Sequence, residues 1–289
     1  MRRQQAAKAG IKDYWESRAP QVWYSDKETG SLEWFNEIEY KRYNVYYRYL
    51  PLVAEFQYHA GEKVLEVGVG IGTDLVQYAK NGSVVSGLDL TDNAVAVTRR
   101  NLELRSLPYK FLGTGDAERL PFADNEFDLV YSFGVLHHTP NPDQALSEIH
   151  RVLRPGGKAI VMLYARGWKH YLKRVLLHGV LLGKFRRFGY SRTISMQTEV
   201  HGDSPLTYVL TWRQVRDLFG RFGEVEITKY RMGEYFDYAP YGTRKVPAAV
   251  ENLVNFLSLE RILGENYVVK AVKTEAKPRY PFWRTLLQP

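Results

Sequence analysis

The stretch Val64-Leu65-Glu66-Val67-Gly68-Val69-Gly70-Ile71-Gly72-Thr73-Asp74 constrains the fold more than any other part of the chain. Its apolar start suits a short buried strand, its alternate glycines suit a turn, and Thr73-Asp74 opens a helix. Glycine adopts positive φ at little cost and lets a bound molecule approach the backbone, so this is a nucleotide-scale binding loop. The spacing is G-x-G-x-G rather than the dinucleotide G-x-G-x-x-G. No Lys-Ser/Thr pair follows, which excludes a phosphate-cradling P-loop. Glu66, two residues before Gly68, suits a ligand carrying positive charge and would repel a pyrophosphate at close range.

The downstream sequence narrows the ligand. Ser83-Val84-Val85-Ser86-Gly87-Leu88 is a second β-rich run ending in Asp89, one strand–helix–strand step after Glu66. A carboxylate at the end of that neighbouring strand can accept both hydroxyls of a ribose. Then come Gly115-Asp116-Ala117-Glu118-Arg119-Leu120-Pro121-Phe122, the run Phe127 to His138, and Val152-Leu153-Arg154-Pro155-Gly156-Gly157-Lys158-Ala159-Ile160-Val161-Met162.

In this order, over roughly residues 60–165, these motifs resemble the class I S-adenosylmethionine-dependent methyltransferases, in particular the subgroup related to ubiquinone/menaquinone-type C-methyltransferases. The resemblance implies S-adenosyl-L-methionine as cofactor. It also implies an α/β fold: a doubly wound, seven-stranded, mostly parallel sheet with an N-terminal helical lid and inserted cap elements. By the same resemblance Gly68, Gly70 and Gly72 line the methionine and ribose, and Glu66 lies beneath the amino-acid end. Asp89 takes the ribose hydroxyls and Leu90 meets the adenine face. Asp116 accepts from the adenine amine, and Ala117 offers its amide to a ring nitrogen. Phe133 and Gly134 lie beside the methionine.

Hydrophobic periodicity places strands near 62–67, 83–88, 109–113, 127–132 and 157–164, and helices near 73–80, 92–106 and 141–153. Such alternation implies parallel pairing with right-handed crossovers. Thr211–Phe219 reads as a further helix. Val225–Tyr230 and Tyr267–Val272 read as the last two strands, antiparallel by the resemblance. Before the core, Trp34–Leu50 reads as one aromatic-rich helix, and a short second helix begins at Pro51. The expected organisation is a lid region at 1–58, a cofactor core at 59–165, an insertion at 166–210, the remaining core at 211–274 with a second insertion at 232–264, and a tail at 275–289.

With 289 residues, 45% of them hydrophobic, the chain can bury one large core plus a cap. The absence of cysteine removes disulfides and thiolate chemistry and fits a cytoplasmic protein. The N-terminus lacks the apolar centre of a secretory signal, and no apolar run reaches the roughly 18 residues of a membrane span. A net charge of +8 points to an anionic partner. The insertion concentrates that charge. Between Trp168 and Phe188, apolar residues at 168, 171, 172, 175, 176, 180 and 182 approximate one face, flanked by Lys169, Lys173, Arg174, Lys184, Arg186 and Arg187. A basic amphipathic helix of this kind either lies on an anionic membrane or covers the protein's own core.

Methyl transfer asks the protein to align a nucleophile, exclude water and, where needed, take a proton. Ser132-Phe133-Gly134-Val135-Leu136-His137-His138 replaces the Asn/Asp-Pro-Pro-aromatic motif of amine methylation. His137 and His138 are therefore candidate bases, with a structural role as the alternative. Glu199, His201 and Asp203 alternate along an inserted segment, as a second base cluster or a weak metal site would require, with a solvated polar loop as the alternative. No metal site is expected. Tyr14, Trp15, Tyr46, Tyr208 and Tyr235 are candidates to enclose the acceptor. These features point to methylation at oxygen or carbon of a small lipophilic molecule such as a quinone precursor, polyketide or isoprenoid. RNA methylation and a non-catalytic cofactor-binding regulator are the competing readings. No recognisable RNA-binding module supports a nucleic-acid partner.

Overall fold

The computed structural model describes residues 2–17, 25–167, 170–198, 204–230 and 264–274. At its centre is a seven-stranded sheet of order β3-β2-β1-β4-β5-β7-β6. Its strands are β1 (Lys63–Val67), β2 (Val84–Asp89), β3 (Phe111–Thr114), β4 (Phe127–Phe133), β5 (Leu153–Tyr164), β6 (Glu224–Tyr230) and β7 (Asn266–Val272). The first five pair in parallel, and β7 runs antiparallel to both β5 and β6. Helices α4 (Thr73–Lys80), α5 (Asp92–Leu104), α6 (Pro142–Val152) and α9 (Trp212–Leu218) follow strands as the alternation predicts. Thr91, Asn141 and Thr211 accept hydrogen bonds from amides at their N-termini, which sets where α5, α6 and α9 begin.

Strand alternation divides the core into two layers. Leu65, Val67, Val130 and Val161 point to the side covered by Leu146, Ile149, Val215 and Leu218, while Val64, Leu129, Tyr131 and Ile160 meet Leu75, Val76, Val95 and Leu102. β5 starts at Leu153, earlier than expected, because Leu153 pairs with Phe127 before a register shift lets Lys158 pair with Leu129.

The N-terminal region departs from the single long helix expected. After α1 (Arg2–Glu16), α2 (Leu32–Lys41) gives way to a π-turn at Arg42–Tyr46, and α3 covers only Leu50–Val53. Most of the α2 aromatics are core. Trp34, Phe35 and Ile38 pack with Ile71 of the glycine loop. The π-turn has a local reason, because it sits where the Arg42 side chain is buried against α4.

Candidate active site

The carboxyl ends of β1, β2, β4 and β5 converge on one edge of the sheet, where open parallel sheets bind ligands. Gly68 has φ 85° and Gly72 φ 78°, and a Cβ at Gly68 would run into Val135. Thus β1 can turn into α4 only with glycine at these positions. Below the loop, Glu66 is buried and its Oε2 has no hydrogen-bond partner. Burial, then the Asp74 charge, push its carboxyl well above the usual range, against the pull of Arg42.

Asp89 is held in place by the loop. Its Oδ2 accepts from the Gly70 amide at 3.0 Å, and its Oδ1 accepts from the Thr91 amide at 3.0 Å and the Thr91 hydroxyl at 2.8 Å. Burial raises its pKa, and these hydrogen bonds oppose the rise. Oδ1 thus already accepts twice, and Oδ2 is the oxygen with a lone pair left for a ribose hydroxyl. Leu90 is half-buried next to it.

Beneath the loop lies a network that sequence reasoning missed. Arg42 Nε donates to Asp74 Oδ1 at 2.7 Å and its Nη2 donates to Oδ2, while Tyr43 and Tyr131 hydroxyls donate to the same carboxylate at 2.7 and 2.8 Å. The guanidinium carbon lies 4.9 Å from the Phe133 ring centroid and 5.1 Å from that of Tyr47. Burial opposes the charge of Arg42, but Asp74 more than compensates, so the guanidinium stays charged. The one available signal was Asp74 itself, an acid among Leu75 and Val76 in the first turn of an apolar helix.

α1 covers the next part of the edge. Asp116 Oδ1 accepts from the Glu118 amide at 2.8 Å, and Oδ2 accepts from Lys8 Nζ at 2.6 Å. Lys12 pairs with Asp92, and Glu16 accepts from the Asp92 and Asn93 amides at the start of α5. Ala117 packs on the core beside Asp116. Tyr14 is buried, and the Trp15 ring meets His138 edge-on with centroids 5.1 Å apart.

The structure separates the two histidines. His137 is fully buried, neither ring nitrogen has a well-formed hydrogen bond, and its ring lies 3.9 Å from that of Tyr164. Burial, then the neighbouring His138, push its pKa well below the usual imidazole value. His138 Nδ1 lies 2.9 Å from the Leu206 carbonyl and 3.3 Å from Thr207 Oγ1. A proton on Nδ1 donated to that carbonyl leaves Nε2 with the basic lone pair. Tyr208 is held to the same turn by its amide, which donates to the His137 carbonyl at 2.8 Å.

The insertion is rooted on this edge. The Leu210 amide donates to the Tyr164 carbonyl and the Arg166 amide to the Leu210 carbonyl, each at 2.8 Å, so both ends of the insertion meet at the end of β5. Between them lie a π-helix (His170–Leu181), α7 (Lys184–Phe188) and α8 (Tyr190–Met196). Its apolar face does not cover the core. Leu172, Leu176, Leu177 and Val180 to Leu182 are exposed, and Arg174, expected on the flank, is buried. Trp168, Lys169, Glu199, His201, Asp203 and Tyr235 lie outside the described residues, as do 231–263. Among the described residues no helix is long and apolar enough to cross a membrane.

A family model described as a methyltransferase domain matches residues 65–161. The chain is 32% identical to a demethylmenaquinone methyltransferase of Thermus thermophilus over 180 residues, 54% of this chain and 80% of that one. It is 31% identical to phosphoethanolamine N-methyltransferase 2 of Caenorhabditis elegans over half of this chain and 34% of the relative. Against several curated relatives it spans only a third to a half of their length. Among solved structures, phosphoethanolamine N-methyltransferase 2 of Haemonchus contortus, in complex with phosphomonomethylethanolamine and S-adenosylhomocysteine, aligns with TM-score 0.56 at 19% identity. That alignment covers 92% of this chain and 61% of the other, and it carries the fold alone.

Proposed function

The chain belongs to the class I S-adenosylmethionine-dependent methyltransferases related to the ubiquinone/menaquinone C-methyltransferases, and from that premise we propose that it methylates oxygen or carbon of a small lipophilic molecule. What carries the cofactor half of this reading is Glu66, whose buried Oε2 is left without a donor beneath a turn where a Cβ at Gly68 would run into Val135. An unpartnered buried acceptor costs stability unless a ligand completes it. The ammonium end of S-adenosylmethionine is such a donor.

In this reading Gly68, Gly70 and Gly72 face the methionine and ribose, Asp89 holds the ribose hydroxyls, and Leu90 packs on the adenine. Asp116 and the Ala117 amide recognise the adenine edge, with Phe133 beside the methionine. When bound, the cofactor supplies a sulfonium methyl group to an attacking oxygen or carbon in an in-line displacement. The protein aligns the acceptor and excludes water beneath α1 and the insertion. Of the two histidines we assign proton removal to His138, whose Nδ1 is anchored by Leu206; His137 is sealed against Tyr164 and supports the turn. The enzyme would be cytoplasmic. A lipophilic acceptor is met at a lipid surface, so contact of the 168–188 segment with an anionic membrane belongs to this proposal.

Incubating the protein with methyl-labelled cofactor and separate lipid, small-molecule and RNA extracts tests the reading. Label is expected in the lipid or small-molecule fraction. Label in RNA alone would replace it with RNA methylation, and no transfer to any fraction would favour a cofactor-binding regulator.

A further inference from the structure

The π-helix is built inside out. A surface helix ordinarily buries its apolar stripe and leaves its charges in water. Here the buried positions are His170, Arg174 and Gly179, whereas Tyr171, Leu172, Leu176, Leu177, Val180, Leu181 and Leu182 are 43 to 67% exposed. Single exposed leucines are common, but a continuous apolar strip of this kind marks a contact surface.

The period explains how one segment presents both faces. In an α-helix, residues five apart differ by about 140° around the axis, which would scatter these side chains. Hydrogen bonds of the i→i+5 type widen the turn. Tyr171, Leu176 and Leu181, and likewise Leu172 and Leu177, then fall on one side, with His170, Arg174 and Gly179 opposite. The rotation is fixed from the protein side. A Cβ at Gly179 would run into the Phe185 ring of α7. Arg174 Nε donates to the Gln197 carbonyl at 3.3 Å and Nη1 to Glu265 at 3.4 Å, and Tyr190 Oη lies 3.2 Å from His170 Nε2.

Charge selects the occupant. From His170 to Thr198 the chain carries Lys173, Arg174, Lys184, Arg186, Arg187 and Arg192 and no acid. Arg186 and Arg187 are exposed beside the strip, with the half-exposed Phe188 and Tyr190 next to them. A second copy meeting this face isologously would set like charges against each other. An anionic bilayer satisfies both parts at once: its acyl boundary takes the leucines and its headgroups take the cations. Among the described residues no helix is long and apolar enough to cross, so contact with a bilayer would be in the plane of its interface.

We propose that the face formed by Tyr171, Leu172, Leu176, Leu177 and Val180 to Leu182 inserts into the interfacial layer of an anionic bilayer and holds the carboxyl edge of the sheet against it. The proposal rests on the lipophilic-acceptor reading for its purpose, though not for its physics. The insertion hangs from Tyr164, whose ring packs on His137, so docking brings the methyl-transfer edge close to the lipid in which such an acceptor dissolves.

The full chain is floated with vesicles of phosphatidylcholine alone and of phosphatidylcholine with 30% phosphatidylglycerol. We expect binding to the anionic vesicles at 50 mM salt, at least tenfold weaker binding at 500 mM, and little binding to the neutral ones. The double variant Leu177→Asp/Leu181→Asp changes only exposed positions and should lose at least tenfold in partitioning while circular dichroism and cofactor calorimetry stay unchanged. No binding to anionic vesicles at low salt, or equal binding by the variant, overturns the proposal. So does light scattering that shows a dimer which the variant dissociates. Vesicle binding without cofactor binding would defeat the methyltransferase reading and leave the docking face standing; the reverse result would do the opposite.

Discussion

Lys8 Nζ lies 2.6 Å from Asp116 Oδ2 and 2.6 Å from Glu118 Oε2, joining α1 to a loop 108 residues further along the chain. The contact ties the lid to the carboxylate assigned to adenine. Partly exposed ion pairs contribute only about 0–1 kcal/mol each, so they add a weak, salt-sensitive link to a helix that the buried Ile11 and Tyr14 also anchor. Lys8→Met is expected to speed amide exchange throughout α1 and to raise the cofactor off-rate severalfold, with little change in melting temperature. Unaltered exchange in α1 would show that the lid is held by other contacts.

Asp89→Ala removes the acceptor assigned to the ribose and frees the Gly70 amide. Cofactor affinity measured by calorimetry should fall by about 1.5–3 kcal/mol, the scale of hydrogen bonds to a charged acceptor. That is roughly 10- to 150-fold. Unchanged affinity would place the ribose elsewhere.

Arg42 and Asp74 form a buried pair, so removing one partner strands the other. Arg42→Met should destabilise the protein by about 3–5 kcal/mol in denaturant titrations, because Asp74 keeps only its tyrosine donors. Arg42→Met/Asp74→Leu should recover a substantial part of that loss. Additive losses would mean that the two side chains act independently.

If His138 removes a proton, His138→Gln should lower kcat by about 10²–10⁴-fold. Cofactor affinity should hardly change. A change confined to KM would make His138 a positioning residue.

His59 gives a pH dependence of definite sign. Burial disfavours its charge, but Glu55 and Glu62 outweigh burial, and its pKa lies above the usual imidazole value. Its stabilising contribution is therefore complete below about pH 6.5, the unfolded value, and is lost as pH rises through the folded pKa. Glu55 also accepts from Lys158 and Lys270, each at 2.6 Å, so the clip joins the start of the core to β5 and β7. The stability gap between wild type and His59→Gln should be largest near pH 6 and shrink by pH 8.5. A gap that widens towards alkaline pH would contradict the sign.

Much of the sheet was legible because its signals are local. Alternating apolar residues, the cap at Asn141 and the glycine turn at 68–72 each act within a few residues, and the structure reproduces the strands and helices they imply. The break at Arg42 was not legible. The aromatic spacing from Trp34 to Leu50 suits a continuous helix, and only the buried carboxylate of Asp74 gives Arg42 a partner worth a π-turn.

The sequence by itself determined the parallel core, the glycine turn and the acids placed at strand ends, because turn chemistry and periodicity need no distant partner. Tertiary structure decided which groups face one another. Lys8 meets Asp116 across 108 residues of chain, a pairing that no local signal announces. The insertion's apolar and basic residues are compatible with burial of either face. The choice fell to contacts with Phe185, Gln197, Tyr190 and Glu265, which fix the rotation and leave the leucines turned outward.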